Sequence, residues 1–167
     1  MNRPPLFIVM GVSGCGKSTI GKLLAAEFGY SFFDGDDYHP SENVAKMSNG
    51  VPLNDIDRKG WLNRLNVLAK EYGQKGVVIA CSALKQSYRD RLAKELENQM
   101  IFVYLKGSKM EISKRLQERK GHFMPSGLLD SQFNALEIPV NAKTVTIQHT
   151  PNKIVLEILK RYQIKKP

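Results

Sequence analysis

Wholly apolar runs alternate along this chain with longer stretches whose apolar residues recur every three or four positions. Leu6–Met10, Val77–Cys81 and Ile101–Leu105 are continuous apolar runs, the pattern of short strands buried on both faces. Tyr30–Phe33 and Thr144–Ile147 complete a set of five predicted strands. Helical spacing links Ile20, Leu23, Leu24 and Phe28, then Trp61, Leu62, Leu65, Leu68, Ala69 and Tyr72. It returns at Leu92 and Leu96, at Ile112 and Leu116, at Leu128, Leu129, Phe133 and Leu136, and at Ile154, Val155, Ile158 and Leu159. A short helix after His39-Pro40 is expected to stop at Asn49-Gly50 and Pro52. Strands alternating with helices predict an α/β fold, a five-stranded parallel sheet with right-handed crossovers in a three-layer α/β/α arrangement.

The polar residues between these elements carry the candidate chemistry. Gly11-Val12-Ser13-Gly14-Cys15-Gly16-Lys17-Ser18 matches G-x-x-x-x-G-K-[ST] between the first predicted strand and the first helix, the context a phosphate-binding loop requires. Glycines let successive N–H groups turn toward an anion, and a helix N-terminus adds partial positive charge. Lys17 would reach the β- and γ-phosphates, Ser18 would offer its hydroxyl to Mg²⁺, and Thr19 continues the nucleotide-binding run. A dinucleotide fingerprint is excluded, because its third glycine is replaced by Thr19. The second strand runs into Asp34-Gly35-Asp36-Asp37, which sets carboxylates at the strand's C-terminal end, facing the crevice where open α/β sheets bind ligands. Trp61, on its apolar stripe, reads as core or pocket wall. Arg115 and Arg119, one turn apart, are expected to share a helix face, and Lys120-Gly121-His122-Phe123-Met124-Pro125 breaks that helix as a lid.

Composition narrows the setting. The 167 residues suit one domain, expected over 1–167 with a lid at about 119–137, and 42% hydrophobic residues can fill a core. No apolar run reaches membrane-spanning or signal-peptide length. Cys15 and Cys81 make no disulfide framework, which sets a cytoplasmic expectation. Cys15 reads as a small filler of the loop, with a thiolate beside Lys17 as the alternative. The net charge of +9 is spread over several segments without aromatic-rich nucleic-acid motifs, so the expected partners are anionic small molecules, with no nucleic acid and no membrane. A basic nucleotide-dependent nucleic-acid-binding module is the alternative from another class.

The phosphate loop, Asp34-Gly35-Asp36, His39-Pro40, Lys46-Met47, Pro52-Leu53-Asn54-Asp55-x-Asp57-Arg58, Trp61-Leu62, Cys81–Lys85, Tyr88-Arg89-Asp90 and Lys120–Phe123 occur in this order, followed by Gln132-Phe133 and Leu136-Glu137-x-Pro139. Together they resemble the bacterial-type gluconate kinases over nearly the whole chain. The resemblance implies a P-loop kinase fold similar to shikimate and adenylate kinases, ATP-dependent and Mg²⁺-assisted phosphorylation of D-gluconate to 6-phospho-D-gluconate, and a homodimer. Shikimate or nucleoside monophosphate kinase activity on the same scaffold is the enzyme alternative. By similarity Lys17 and Ser18 bind phosphate and metal, Asp34 orders the metal's waters, and Asp36 receives or orients the substrate hydroxyl. Arg58 and Arg89 are the implied carboxylate and polyol anchors, with Lys85 and His39 beside them. Arg115 would flank adenine, Arg119 would swing toward the transferred phosphate, and His122 would close over substrate.

Overall fold

The computed structural model describes residues 3–120 and 126–161. Five parallel strands form one sheet in the order β2-β3-β1-β4-β5, built from β1 (Leu6–Met10), β2 (Ser31–Asp34), β3 (Val77–Ala80), β4 (Met100–Lys106) and β5 (Lys143–Thr146). Every residue of β1 and β3 is buried, as their unbroken apolar sequences require of central strands. The observed β2 begins one residue later than expected and takes in Asp34, which pairs with Ala80 and so stands at the sheet's C-terminal rim.

The helices are α1 (Lys17–Phe28), α2 (Ser41–Ser48), α3 (Asp55–Glu71), α4 (Gln86–Ala93), α5 (Lys109–Glu118), α6 (Ser126–Ala135) and α7 (Pro151–Arg161). The connection from β1 to β2 steps past β3 to one side, whereas that from β3 to β4 steps past β1 to the other. Right-handed crossovers therefore put α1 and α4 on opposite faces. The contacts agree: α1 packs with α7, and α3 with α4. This reversal between β1 and β3 opens a crevice at their C-terminal ends, the usual place for a ligand in an open α/β sheet.

Local signals set the helix bounds. Asn54 and Asp57 form a reciprocal capping box at the start of α3, and Ser108 and Glu111 do the same for α5. Gly29, at φ 67°, ends α1 in the left-handed region. Two expectations need correction. α4 stops at Ala93, so Leu96 reaches the core from the following turn, where Glu95 has φ 66°. α5 stops at Glu118, so Arg119 leaves with extended geometry instead of sharing a helix face with Arg115. At the far end of the expected 119–137 lid, α6 is docked on the core through Leu129, which is 4% exposed. Among the described residues no helix is long and apolar enough to cross a membrane.

Candidate functional site

The loop after β1 has the backbone that its sequence demands. Gly11, Gly14 and Gly16 take φ values of 145°, 82° and 100°, where a side chain is strained. A Cβ on Gly11 would lie 2.7 Å from Cys15 Sγ, and one on Gly14 would lie 2.9 Å from Leu116. The loop thus turns tightly while tucking Val12 and Cys15 into the core, and α1 begins at Lys17 with its first-turn N–H groups facing the crevice end. Burial pushes the Cys15 thiol up despite Lys17 nearby, so Cys15 is a packed filler and no thiolate. Thr19 is exposed on the first turn of α1. Lys17 Nζ donates to Val12 O at 3.1 Å, a single neutral acceptor that a phosphate can replace.

Gln132, on α6, joins this loop across 119 residues of sequence. Its Oε1 accepts from Ser13 N at 2.7 Å and its Nε2 donates to Ser13 Oγ at 3.1 Å. The family resemblance includes the Gln132-Phe133 pair but assigns it no role, and its contact with Ser13 is seen only in the fold.

Below the loop, Ser18 Oγ donates to Asp34 Oδ2, while Asp34 Oδ1 accepts from Asp36 N at 3.1 Å. One carboxylate thus ties the start of α1 to the turn that carries Asp36. Gly35 permits this turn, because a Cβ there would meet Ala80 O at 2.5 Å. Ser18 and Asp34 offer hard oxygen atoms next to the phosphate loop, a donor set suited to Mg²⁺. Among the described residues there is no cluster of three His, Cys, Asp or Glu side chains able to hold a metal alone. A bound Mg²⁺ would therefore take its remaining ligands from phosphate and water, its usual mode in phosphoryl-transfer sites.

The Asp36 side chain is 77% exposed. Desolvation by the neighbouring protein raises its pKa, Lys17 opposes the rise, and Asp34 and Asp37 add to it. With so much of the carboxylate in water the shift carries little energy. His39 differs: its side chain is 4% exposed, stacked on Trp61 at 4.0 Å between centroids, with Nε2 4.0 Å from Asp36 Oδ1. Burial and then the Arg58 charge lower its pKa to about 4, so the ring is neutral near pH 7. Trp61 Nε1 donates to Gly35 O at 2.7 Å, so this side chain is both core and pocket wall.

Arg58 lies half-buried across the crevice, with its guanidinium 5.5 Å from the Tyr88 ring centroid and one nitrogen donating to Leu53 O. Asp55 accepts from Tyr88 Oη and from Lys85 Nζ at 2.8 Å, and these partners, Lys85 first, hold its carboxyl below the usual range. Lys85 is therefore a paired cation on the rim. Cys81, just past the end of β3, is fully buried, and that burial pushes its thiol up to about 12.

Arg89 does not belong to this group. It is 3% exposed, and its five N–H donors are committed to Ala83 O, Leu84 O, Glu137 O and Gln86 Oε1 at 2.8–3.3 Å. It braces the turn after β3, where Ala83 has φ 46°, and leaves no free fork for a carboxylate. Arg115 donates to Ile147 O beside the end of β5, and Arg119 is exposed at the C-terminus of α5. His122 lies outside the described residues.

The family model described as shikimate kinase matches residues 13–163. The chain is 50% identical over 135 residues to the thermosensitive gluconokinase of Escherichia coli (strain K12), covering 80% of this chain and 72% of that protein. It is 40% identical over 166 residues to a gluconokinase of Gluconobacter oxydans (strain 621H), covering 96% and 93%. The crystal structure of a gluconokinase from Sinorhizobium meliloti 1021 superposes with a TM-score of 0.87 at 43% identity, covering 94% of this chain and 90% of that one.

Proposed function

The chain belongs to the gluconokinase family, and we propose from that premise that it transfers the terminal phosphoryl group of ATP to a hydroxyl of D-gluconate, giving 6-phospho-D-gluconate, ADP and a proton. The observation that carries this reading is the Ser18–Asp34–Asp36 linkage, which sets an acid at the foot of the phosphate loop. Identities of 40–50% to gluconokinases over most of the chain do not favour the shikimate or nucleoside monophosphate kinase alternatives.

In this reading the loop from Gly11 to Thr19 cradles the ATP phosphates, and Lys17 exchanges Val12 O for a phosphate oxygen. Ser18 and Asp34 would hold Mg²⁺, which when bound offsets charge on the phosphates. Asp36 accepts a hydrogen bond from the reacting hydroxyl, aligns it for in-line attack and takes its proton as the new O–P bond forms. Arg58 uses its remaining donors for the carboxylate of the sugar acid, while Lys85 and His39 contact the polyol. Arg115 flanks the adenine, Arg119 reaches the transferred phosphoryl group, and His122 contacts the substrate. A homodimer in the cytoplasm completes the proposal, and light scattering of the purified protein checks the oligomeric state. The activity test is ADP release with gluconate, shikimate, other sugar acids and nucleoside monophosphates, with and without Mg²⁺. Turnover should require gluconate and Mg²⁺ together; faster turnover of shikimate or a nucleotide would sink the reading.

A further inference from the structure

Asn43 is 3% exposed, and nothing in the proposed reaction uses it. Its Nδ2 donates to the backbone oxygen of Asp57 at 2.9 Å and lies 3.2 Å from His39 Nδ1. A backbone carbonyl can only accept, so the amide atom facing it must be the nitrogen; the flipped amide would set two acceptors together. The second hydrogen on Nδ2 is then directed at Nδ1 of His39, which must be the bare ring nitrogen, and the ring proton resides on Nε2. Trp61 fixes the plane of the same ring by stacking at an interplanar angle of 18°, and Trp61 is itself held by Gly35 O. Plane and rotation are thus both determined, and the N–H that results points to the side where Asp36 Oδ1 lies 4.0 Å away.

We propose that Asn43 is a positioning residue that locks His39 as an Nε2–H donor aimed into the crevice beside Asp36, so that the pair recognises one hydroxyl of a polyhydroxy acid. That hydroxyl, a neighbour of the reacting one on the polyol, accepts from His39 and donates to Asp36 Oδ1, leaving the other carboxylate oxygen for the reacting hydroxyl. With the proton on Nδ1 instead, the bare Nε2 would meet the hydroxyl's lone pairs, and an unpaired polar contact in a closed site is costly. This selects against an analogue that carries hydrogen at that carbon, since both protein groups would lose their partner. The substrate part of the inference rests on the sugar-acid reading of the crevice; the hydrogen-bond lock does not.

The test begins with the unmodified protein. Side-chain ¹H–¹⁵N correlation spectra, with His39 identified by the signals lost in His39→Gln, should show Nε2 protonated and Nδ1 bare. The reverse pattern overturns the lock, and because this arm needs no altered Asn43 it stands whether or not an Asn43 variant folds. In Asn43→Asp an acceptor replaces the donor, so the proton should move to Nδ1. KM for gluconate should then rise at least tenfold, with KM for ATP within twofold. A folded Asn43→Asp protein with the proton moved and gluconate KM unchanged overturns the role in recognition. Unmodified protein that shows the expected nitrogen pattern but turns over no gluconate overturns the proposed function and the recognition role together, while leaving the lock in place.

Discussion

Acidification should cost this protein stability through one identifiable side chain. His39 has a folded-state pKa of about 4 against an ordinary value of 6.5, because burial and the Arg58 charge disfavour the imidazolium. The unfolded chain therefore binds the proton first. The contribution is complete above about pH 6.5 and is lost as pH falls through about 4. At about 1.4 kcal/mol per pH unit the gap corresponds to about 3 kcal/mol, of which about 2.5 kcal/mol is gone by pH 4.5. For a domain of this size that is roughly 5–10 °C in Tm. The assay is urea or thermal unfolding at pH 7 and pH 4.5 for the unmodified protein and for His39→Gln, which retains a polar, planar group against Trp61 and Asn43. Carboxylates paired in the fold, such as Asp55 with Lys85 and Asp57 with Lys46, lose their own contribution on acidification, but they do so in both proteins. The difference between the two losses isolates His39. Equal loss in both proteins would refute the assignment of a buried neutral ring.

Three further outcomes are expected. Lys17→Ala should lower kcat by about 10²-fold or more with Tm nearly unchanged, because Lys17 makes one bond to a loop carbonyl and none to the core; near-normal turnover in a folded variant would reject its phosphate role. Asp36→Asn should lower kcat by roughly 10²–10⁴-fold, since an amide cannot take the hydroxyl's proton, with Asp37→Asn measured alongside; if only the second variant is crippled, the acid has been misidentified. Arg58→Lys should weaken gluconate binding with little change in Tm, whereas Arg89→Lys should lower Tm while sparing gluconate KM until the turn after β3 loosens; the opposite pairing of effects would reverse the roles given to the two arginines.

Features set by near neighbours were legible in the chain itself. The phosphate loop, the apolar runs of β1 and β3 and the helical stripes are each defined within about twenty residues, and all five strands and their parallel order of build-up follow from them. Asp34 and Asp36 were readable for the same reason, being the residues a short strand delivers to its own C-terminal end. What tertiary structure alone decided is which polar groups are spent on the fold and which are left facing the crevice. Arg58 and Arg89 are equivalent as letters, yet packing gives Arg89 four acceptors from the turn after β3 and the segment around Glu137, while Arg58 keeps donors free beside Tyr88. Gln132 meets Ser13 across 119 positions, and Asn43 meets Asp57 across 14. The pKa of His39 falls to about 4 only when Trp61 and the first turns of α3 enclose it. Sequence periodicity reports which face of an element is apolar; it carries no information on which distant carbonyl will saturate a given donor, because that depends on how the elements dock.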